Sequence, residues 1–136
     1  MKVFFDTNVL ASALATRGLC AELFEVVLQS HELLISESVI KELKRILPGK
    51  LGLSVSVTEG FVTFLYDEAC LVKGEQPFPS LPDPDDEPIV ASALAGQAHV
   101  FVTGDKALLE LQQVMNLPVI SPRQFWEKLA SFDGPN

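Results

Sequence analysis

The 136-residue chain predicts an α/β fold: a single three-layer domain with about five parallel strands and helices on both faces. Three observations predict it. Short apolar, β-branched or aromatic runs recur along the chain. Segments with apolar residues three and four apart separate them. The resulting order, β-α-α-β-α-α-β-α-β-α-β-α, requires crossover helices between strands that run the same way.

The elements follow in order. Residues 2–5 (Lys-Val-Phe-Phe) form a strand ending at Asp6. Thr7 or Asn8 caps a helix through Val9–Leu14, and Arg17-Gly18 interrupts it. A second helix, about Cys20–Gln29, puts Leu23, Val26 and Val27 on one face. Glu32–Ile35 is a short strand. Ser36 then starts a helix with Val39, Ile40, Leu43, Ile46 and Leu47 inward, stopped by Pro48-Gly49. Thr58 opens a further helix, Phe61–Ala69, running into a strand at Cys70–Val72. Five prolines between Gln76 and Pro88 make a loop whose end is crowded by Asp83, Asp85, Asp86 and Glu87. Pro88 stands in the first turn of a helix that closes at Gly96, where its missing N–H does no harm. A strand at 99–102 precedes helical Lys106–Val114. Leu117–Ile120 is a strand that its proline assigns to an edge. Pro122–Ala130 is the last helix. The domain spans 1–131, with 132–136 a frayed tail.

Composition narrows the function classes. At 48% apolar the chain is globular rather than disordered. No apolar run is long enough to cross a membrane, and Met1-Lys2 enters a strand without a secretory leader, so the expected location is cytoplasmic. Cys20 and Cys70 read as two buried thiols. No CxxC or HxxxH spacing supports zinc. The net charge of −8 argues against nucleic-acid binding by a broadly basic surface. His31 and His99 stand at strand starts, away from the acids, and read as structural or exposed. Trp126, the only tryptophan, reads as core.

Four carboxylates carry the chemistry: Asp6, Glu42, Asp86 and Asp105. Asp6 and Asp105 each follow an apolar strand. In a parallel sheet both emerge at the carboxyl edge, where open α/β sheets bind ligands. Each has a simpler reading when taken alone. Asp6 and Asp105 are helix caps or turn residues. Glu42 is a solvated helix residue beside Lys41 and Arg45. Asp86 belongs to an acidic loop at a helix N-terminus, which the helix dipole favours. Spacing alone leaves open which of Asp83, Asp85 and Asp86 enters the cleft. Yet Glu42 borders the apolar stripe at 39, 43 and 46, within reach of a cleft. Four acids gathered there cannot all stay ionised without a cation, and oxygen ligands suit Mg²⁺ or Mn²⁺. Two such ions would halve the net charge. Asn8 and Thr103 are placed to support the carboxylates. Arg17, Lys41, Arg45 and Lys106, with Lys44, lie near the acidic turns and could meet phosphates, though each reads first as plain surface charge.

The ordered set resembles the PIN domain over nearly the whole chain. It consists of Asp6-Thr7-Asn8-Val9-Leu10, the helix with Glu42, Asp86 followed by Ile89, Ala91 and Ala93, and Phe101-Val102-Thr103-Gly104-Asp105. The Asp83-Pro84-Asp85-Asp86-Glu87-Pro88 stretch and the Thr-Gly-Asp turn are similar to the VapC-like subgroup, toxins of bacterial toxin–antitoxin pairs. The resemblance implies a PIN-like fold and a metal-dependent endoribonuclease. It implies that Asp6, Glu42, Asp86 and Asp105 hold one or two Mg²⁺ or Mn²⁺ ions, supported by Asn8 and Thr103. It implies an RNA substrate, an antitoxin partner and a homodimer. Two other classes compete. One is a non-catalytic interaction module of the same fold, whose acids bind a basic partner. The other is an aspartyl-phosphate phosphatase, which needs a second Asp two residues after the nucleophile, where this chain has Asn8.

Overall fold

In the computed structural model, which describes residues 1–132, the backbone forms a six-stranded sheet wrapped by helices. The elements are β1 (Lys2–Phe5), α1 (Thr7–Ala15), α2 (Leu19–Ser30), β2 (Glu32–Ile35), α3 (Glu37–Gly49), α4 (Val55–Glu68), β3 (Cys70–Leu71), a 3₁₀ turn (Pro84–Asp86), α5 (Glu87–Ala95), β4 (Val100–Val102), α6 (Lys106–Leu111), β5 (Gln113–Val114), β6 (Leu117–Ile120) and α7 (Pro122–Phe132). The expected tail from 133 to 136 lies outside the described residues.

The sheet order is β3-β2-β1-β4-β6-β5. Every pairing is parallel except β5 with β6. From β1 the chain winds outward through β2 and β3, then returns to lay β4 on the other side of β1. The crevice of such a sheet opens where the winding reverses, at the carboxyl ends of β1 and β4. Val3, Phe4 and Phe5 are each 0% exposed. Successive strand residues point to opposite faces, so both faces of β1 are covered. Phe4 stacks on Phe101 of β4 at 5.4 Å between ring centres, and Phe5 meets Phe125 of α7 edge-on at 6.0 Å. Rings of this kind lock the two central strands together beneath the crevice.

Local sequence sets most boundaries. Ser36 accepts from Val39 N (3.3 Å) and starts α3; Ser54 accepts from Val57 N (3.0 Å) and starts α4. α4 therefore begins three residues before Thr58, because the hydroxyl of Ser54 satisfies an otherwise open backbone N–H. Pro48 lies inside the last turn of α3, which ends at Gly49 as expected.

Several expectations are corrected. Residues 106–114 are not one helix: α6 ends at Leu111, Gln112 takes a positive φ of 64°, and Gln113-Val114 turn back as β5. The short antiparallel β5 therefore covers β6, and Pro118 lies in an inner strand beside the edge. With this short strand the sheet counts six, in keeping with the about five parallel strands expected. Cys70 is exposed, on the two-residue edge strand β3, and Cys20 is only partly buried. Trp126 is 40% exposed on α7, whose inward positions belong to Phe125 and Leu129.

The proline-rich segment is held against α5 by specific contacts. Gly74 N donates to Ser92 Oγ (3.1 Å), Ser92 Oγ donates to Pro88 O (2.8 Å), and Leu81 N donates to Glu87 Oε2 (3.1 Å). A Cβ on Gly74 would lie 2.8 Å from Ala91 Cβ and 2.9 Å from Ser92 N, so only glycine permits this approach. These contacts fix the N-terminus of α5, where Asp86 reaches the crevice.

Candidate active site

Asp6 leaves β1 still tied to β4, its N–H donating to Val102 O (2.9 Å). It is 4% exposed, and both carboxylate oxygens are engaged. Oδ1 accepts from Thr7 N (2.8 Å); Oδ2 accepts from Thr103 Oγ1 (2.8 Å) and Asn8 Nδ2 (3.2 Å). Asp6 is thus itself the cap of α1, the simpler of its two sequence readings, in place of Thr7 or Asn8. Asn8 reaches across instead: its Oδ1 accepts from Gly104 N (2.8 Å) and its Nδ2 also donates to Thr103 Oγ1 (3.3 Å). Thr103 is fully buried, and its Oγ1 accepts from Asp105 N (3.0 Å). Asp105 Oδ1 caps α6, accepting from Ala107 N (2.8 Å) and Leu108 N (3.2 Å). Its Oδ2 receives no donor among the described residues. One hydrogen-bond network therefore clamps the β1 and β4 turns together.

Glu42 arrives from α3, whose Val39, Ile40, Leu43 and Leu47 are buried. The hydroxyl of buried Thr7 donates to Glu42 Oε1 (2.5 Å), fixing this acid to the residue that follows Asp6. Asp86 ends the 3₁₀ turn at the N-terminus of α5, but its side chain caps nothing. Its carboxyl is pushed up to about 7, first by desolvation, then by the charges of Asp6, Asp83, Asp105 and Glu42. Burial also raises Asp6, against the lowering effect of its Thr103 and Thr7 hydrogen bonds.

All four acids line one open cleft of about 430 Å³. Ala11, Ala15, Ile46 and Leu51 supply its apolar walls, and Lys50 is the only basic residue on its lining. Among the described residues no Lys or Arg pairs with the acids, and the ion pair found is Arg123–Glu127 on α7. All the donors are hard oxygens, which fits a divalent cation of the Mg²⁺ or Mn²⁺ kind. Among the described residues, no three His, Cys, Asp or Glu side chains are gathered tightly enough to form a finished ion cage. The acids surround a space, and closing on an ion would take side-chain movement at Glu42 and Asp86, the members with the fewest restraints.

The remaining candidates separate cleanly. Asn8 and Thr103 lie in the site. Asp83 does not line the cleft: it is exposed and accepts from Asp85 N (2.9 Å) to cap the 3₁₀ turn, while its carbonyl accepts from Asp86 N (3.0 Å) and its charge helps raise the Asp86 carboxyl. Asp85, Lys41 and Arg45 line a neighbouring groove that shares Glu42 with the cleft. Arg17 and Lys106 are exposed and line neither. The histidines hold the opposite end, His99 Nδ1 accepting from Lys2 N (2.8 Å) and His31 Nδ1 lying 3.0 Å from the N-terminal amine. Sequence reasoning missed Thr7 and Lys50. Thr7 carried a signal, a hydroxyl between two site residues; Lys50 carried none, because its place depends on how α3 lies over α1.

The chain can now be set beside known proteins. No match is found among curated proteins. Solved structures are similar, among them the following three. VapBC2 from Rickettsia felis bound to a promoter DNA fragment matches at 14% identity and TM-score 0.65, covering 89% of this chain and 98% of that one. VapBC-1 from nontypeable Haemophilus influenzae matches at 18% and 0.62, covering 90% and 99%. The PIN domain endonuclease Utp24 matches at 20% and 0.52, covering 88% and 84%. At these identities the likeness is one of fold. The profile described as PIN domain matches residues 2–107, a span that holds all four acids and the strands that present them. With that match over most of its length, the chain belongs to the PIN domain family.

Proposed function

We propose that this protein is a Mg²⁺- or Mn²⁺-dependent endoribonuclease and the toxin of a toxin–antitoxin pair, acting in the cytoplasm. One observation carries the reading: carboxylates from four separate segments line a single cleft without a basic partner among them. Family membership and the likeness to VapBC and Utp24 support it.

Asp6, Glu42, Asp86 and Asp105 would hold one or two ions. The chemistry supplied there is acidification of a water and neutralisation of charge on the scissile phosphate. The chain does the rest. Thr103 and Asn8 keep Asp6 from rotating, so its free lone pairs keep one direction. The α6 N-terminus holds Asp105 by one oxygen and leaves the other open. Thr7 restrains Glu42, which can orient a water toward the phosphate. The apolar walls limit competing water. No protein nucleophile is needed. Asp6 is a poor one, with both oxygens hydrogen-bonded and Asn8 committed to supporting them, which counts against an aspartyl-phosphate route.

Labelled single-stranded RNA incubated with the purified protein and Mg²⁺ or Mn²⁺ tests this. Cleavage is expected to stop on chelation and in Asp6→Asn. Cutting that survives chelation, or that Asp6→Asn retains in full, overturns the mechanism. A non-catalytic module would show no cutting and no thermal shift with either ion. A homodimer and an antitoxin are proposed as partners. Light scattering tests the first; a short adjacent reading frame with a DNA-binding fold, co-purifying with this chain, tests the second.

A further inference from the structure

The groove beside the cleft holds the chain's densest group of positive charge. α3 with its C-cap carries Lys41, Lys44, Arg45 and Lys50, against ten Lys and Arg in the whole sequence. Lys41, Lys44 and Arg45 stand three and four residues apart, so they share one face of the helix at about one-turn spacing, ~5 Å along its axis. All three are exposed, and none forms an ion pair among the described residues. With Ser38, they face Pro84, Asp85, Pro88 and Ile89 across a groove of about 710 Å³. Glu42 lines both this groove and the catalytic cleft, so the two spaces meet at that residue.

A chain with net charge −8 has little cause to leave three unpaired cations together beside four carboxylates. Exposed lysines and arginines near that many acids would be expected to swing onto them. Here Glu42 is instead engaged by Thr7, and Asp85 is the only other acid on the groove. The cations remain available to an anion lying in the groove. The facing wall supplies prolines and an isoleucine but no aromatic ring, so it offers a smooth apolar side without a platform for stacking bases.

We infer that this α3 groove binds the sugar–phosphate backbone of single-stranded RNA next to the bond being cut, without reading its bases. This rests on the nuclease reading above. The groove sets affinity and its salt dependence, because phosphate contacts position a strand and carry no sequence information. Any base selection then falls on the walls of the acidic cleft. Lys41 and Arg45 act here together with Lys44, whereas Arg17 and Lys106, which line neither space, contribute nothing specific.

The experiment uses Asp6→Asn protein, so that RNA is bound but not cut. Binding of a fluorescent single-stranded RNA is followed over a series of salt concentrations in the presence of Mg²⁺. Adding Lys41→Gln, Lys44→Gln and Arg45→Gln should weaken binding at least ~10-fold at low salt. It should also flatten the slope of log affinity against log salt by about 2, the value for three lost contacts to a single strand. The loss should be equal for oligomers of different base composition. Arg123→Gln with Lys128→Gln, on α7, should change neither quantity. Wild-type protein that cuts RNA while the triple variant keeps affinity and slope overturns the groove assignment and leaves the nuclease reading standing. Such a result would assign these cations to a protein partner or to solubility. A loss confined to one base composition overturns the claim that bases go unread. Wild-type protein that neither cuts nor binds RNA overturns both.

Discussion

The two halves of the candidate site are built differently. At the ends of β1 and β4, Asp6 and Asp105 are clamped by Thr7, Asn8, Thr103 and the α6 backbone. At the entry to α5, Asp86 has no hydrogen-bond donor to its carboxylate among the described residues and sits where burial and four like charges push its proton affinity up. The rigid half grows out of a dry core, so its polar groups had to be satisfied internally. The other half rests on a proline-rich segment and is left frustrated. The contrast shows how such a site can be stable without an ion yet respond to one: one side is prebuilt, and the other is restrained mainly by repulsion that a cation would remove.

Breaking the rigid half should have the largest effects. Asp6→Asn is expected to reduce RNA cleavage by more than the ~10–100-fold that loss of a supporting partner costs a metal site. Single-turnover rates measure this. Thr103→Val removes the hydroxyl that donates to Asp6 and accepts from Asp105 N. It should lower stability by about 1–3 kcal/mol, through polar groups left unmet in the interior, and cleavage by ~10–100-fold. Unchanged melting and full activity would show that the clamp is not what holds the acids. Thr7→Val frees Glu42 and should cut activity about 10-fold. Thr7→Ser, which keeps the hydroxyl, should restore most of it.

Asp86→Asn sharpens the comparison from the other side, with the smallest effect and the opposite sign. Without divalent ions it should raise stability by about 1 kcal/mol, after discounting for a half-exposed group, or roughly 3–5 °C in melting temperature. The direction follows from linkage. A carboxyl with its pKa raised from 3.8 to about 7 holds its proton more tightly folded than unfolded. Its contribution to stability is therefore greatest at low pH, falls between about pH 4 and pH 7, and is flat above. The advantage of Asp86→Asn over wild type should grow across that window and vanish below it. Saturating Mg²⁺ or Mn²⁺ should stabilise the wild type more than the variant. An Asp86→Asn protein that melts lower than wild type at neutral pH without ions would mean that Asp86 is satisfied, not frustrated.

Much of this was legible in the residues themselves. Apolar runs ending in Asp6 and in Thr103-Gly104-Asp105, helix-period stripes and serine caps are local signals, and the central parallel strands and most helices followed from them. What failed was decided by tertiary partners. Residues 106–114 carry apolar spacing that suits a helix, but pairing of β5 with β6 took the last two of them. Trp126 and Cys70 were misplaced because residue type sets a tendency to burial, whereas neighbouring elements decide which face is covered.

The sequence by itself determined which acids the protein has, that Asp6 and Asp105 follow buried strands, and therefore that a parallel sheet would bring those two to one edge. Only the tertiary structure decided that Glu42 would hang from the Thr7 hydroxyl, that Asp86 rather than Asp83 would face the cleft, and that three cations of α3 would line a groove opening onto it. The physical reason is range. Strand and cap signals act over a few residues, while a contact between residues 7 and 42, or a charge pushed up by four others, exists only once separate helices are packed against the same sheet.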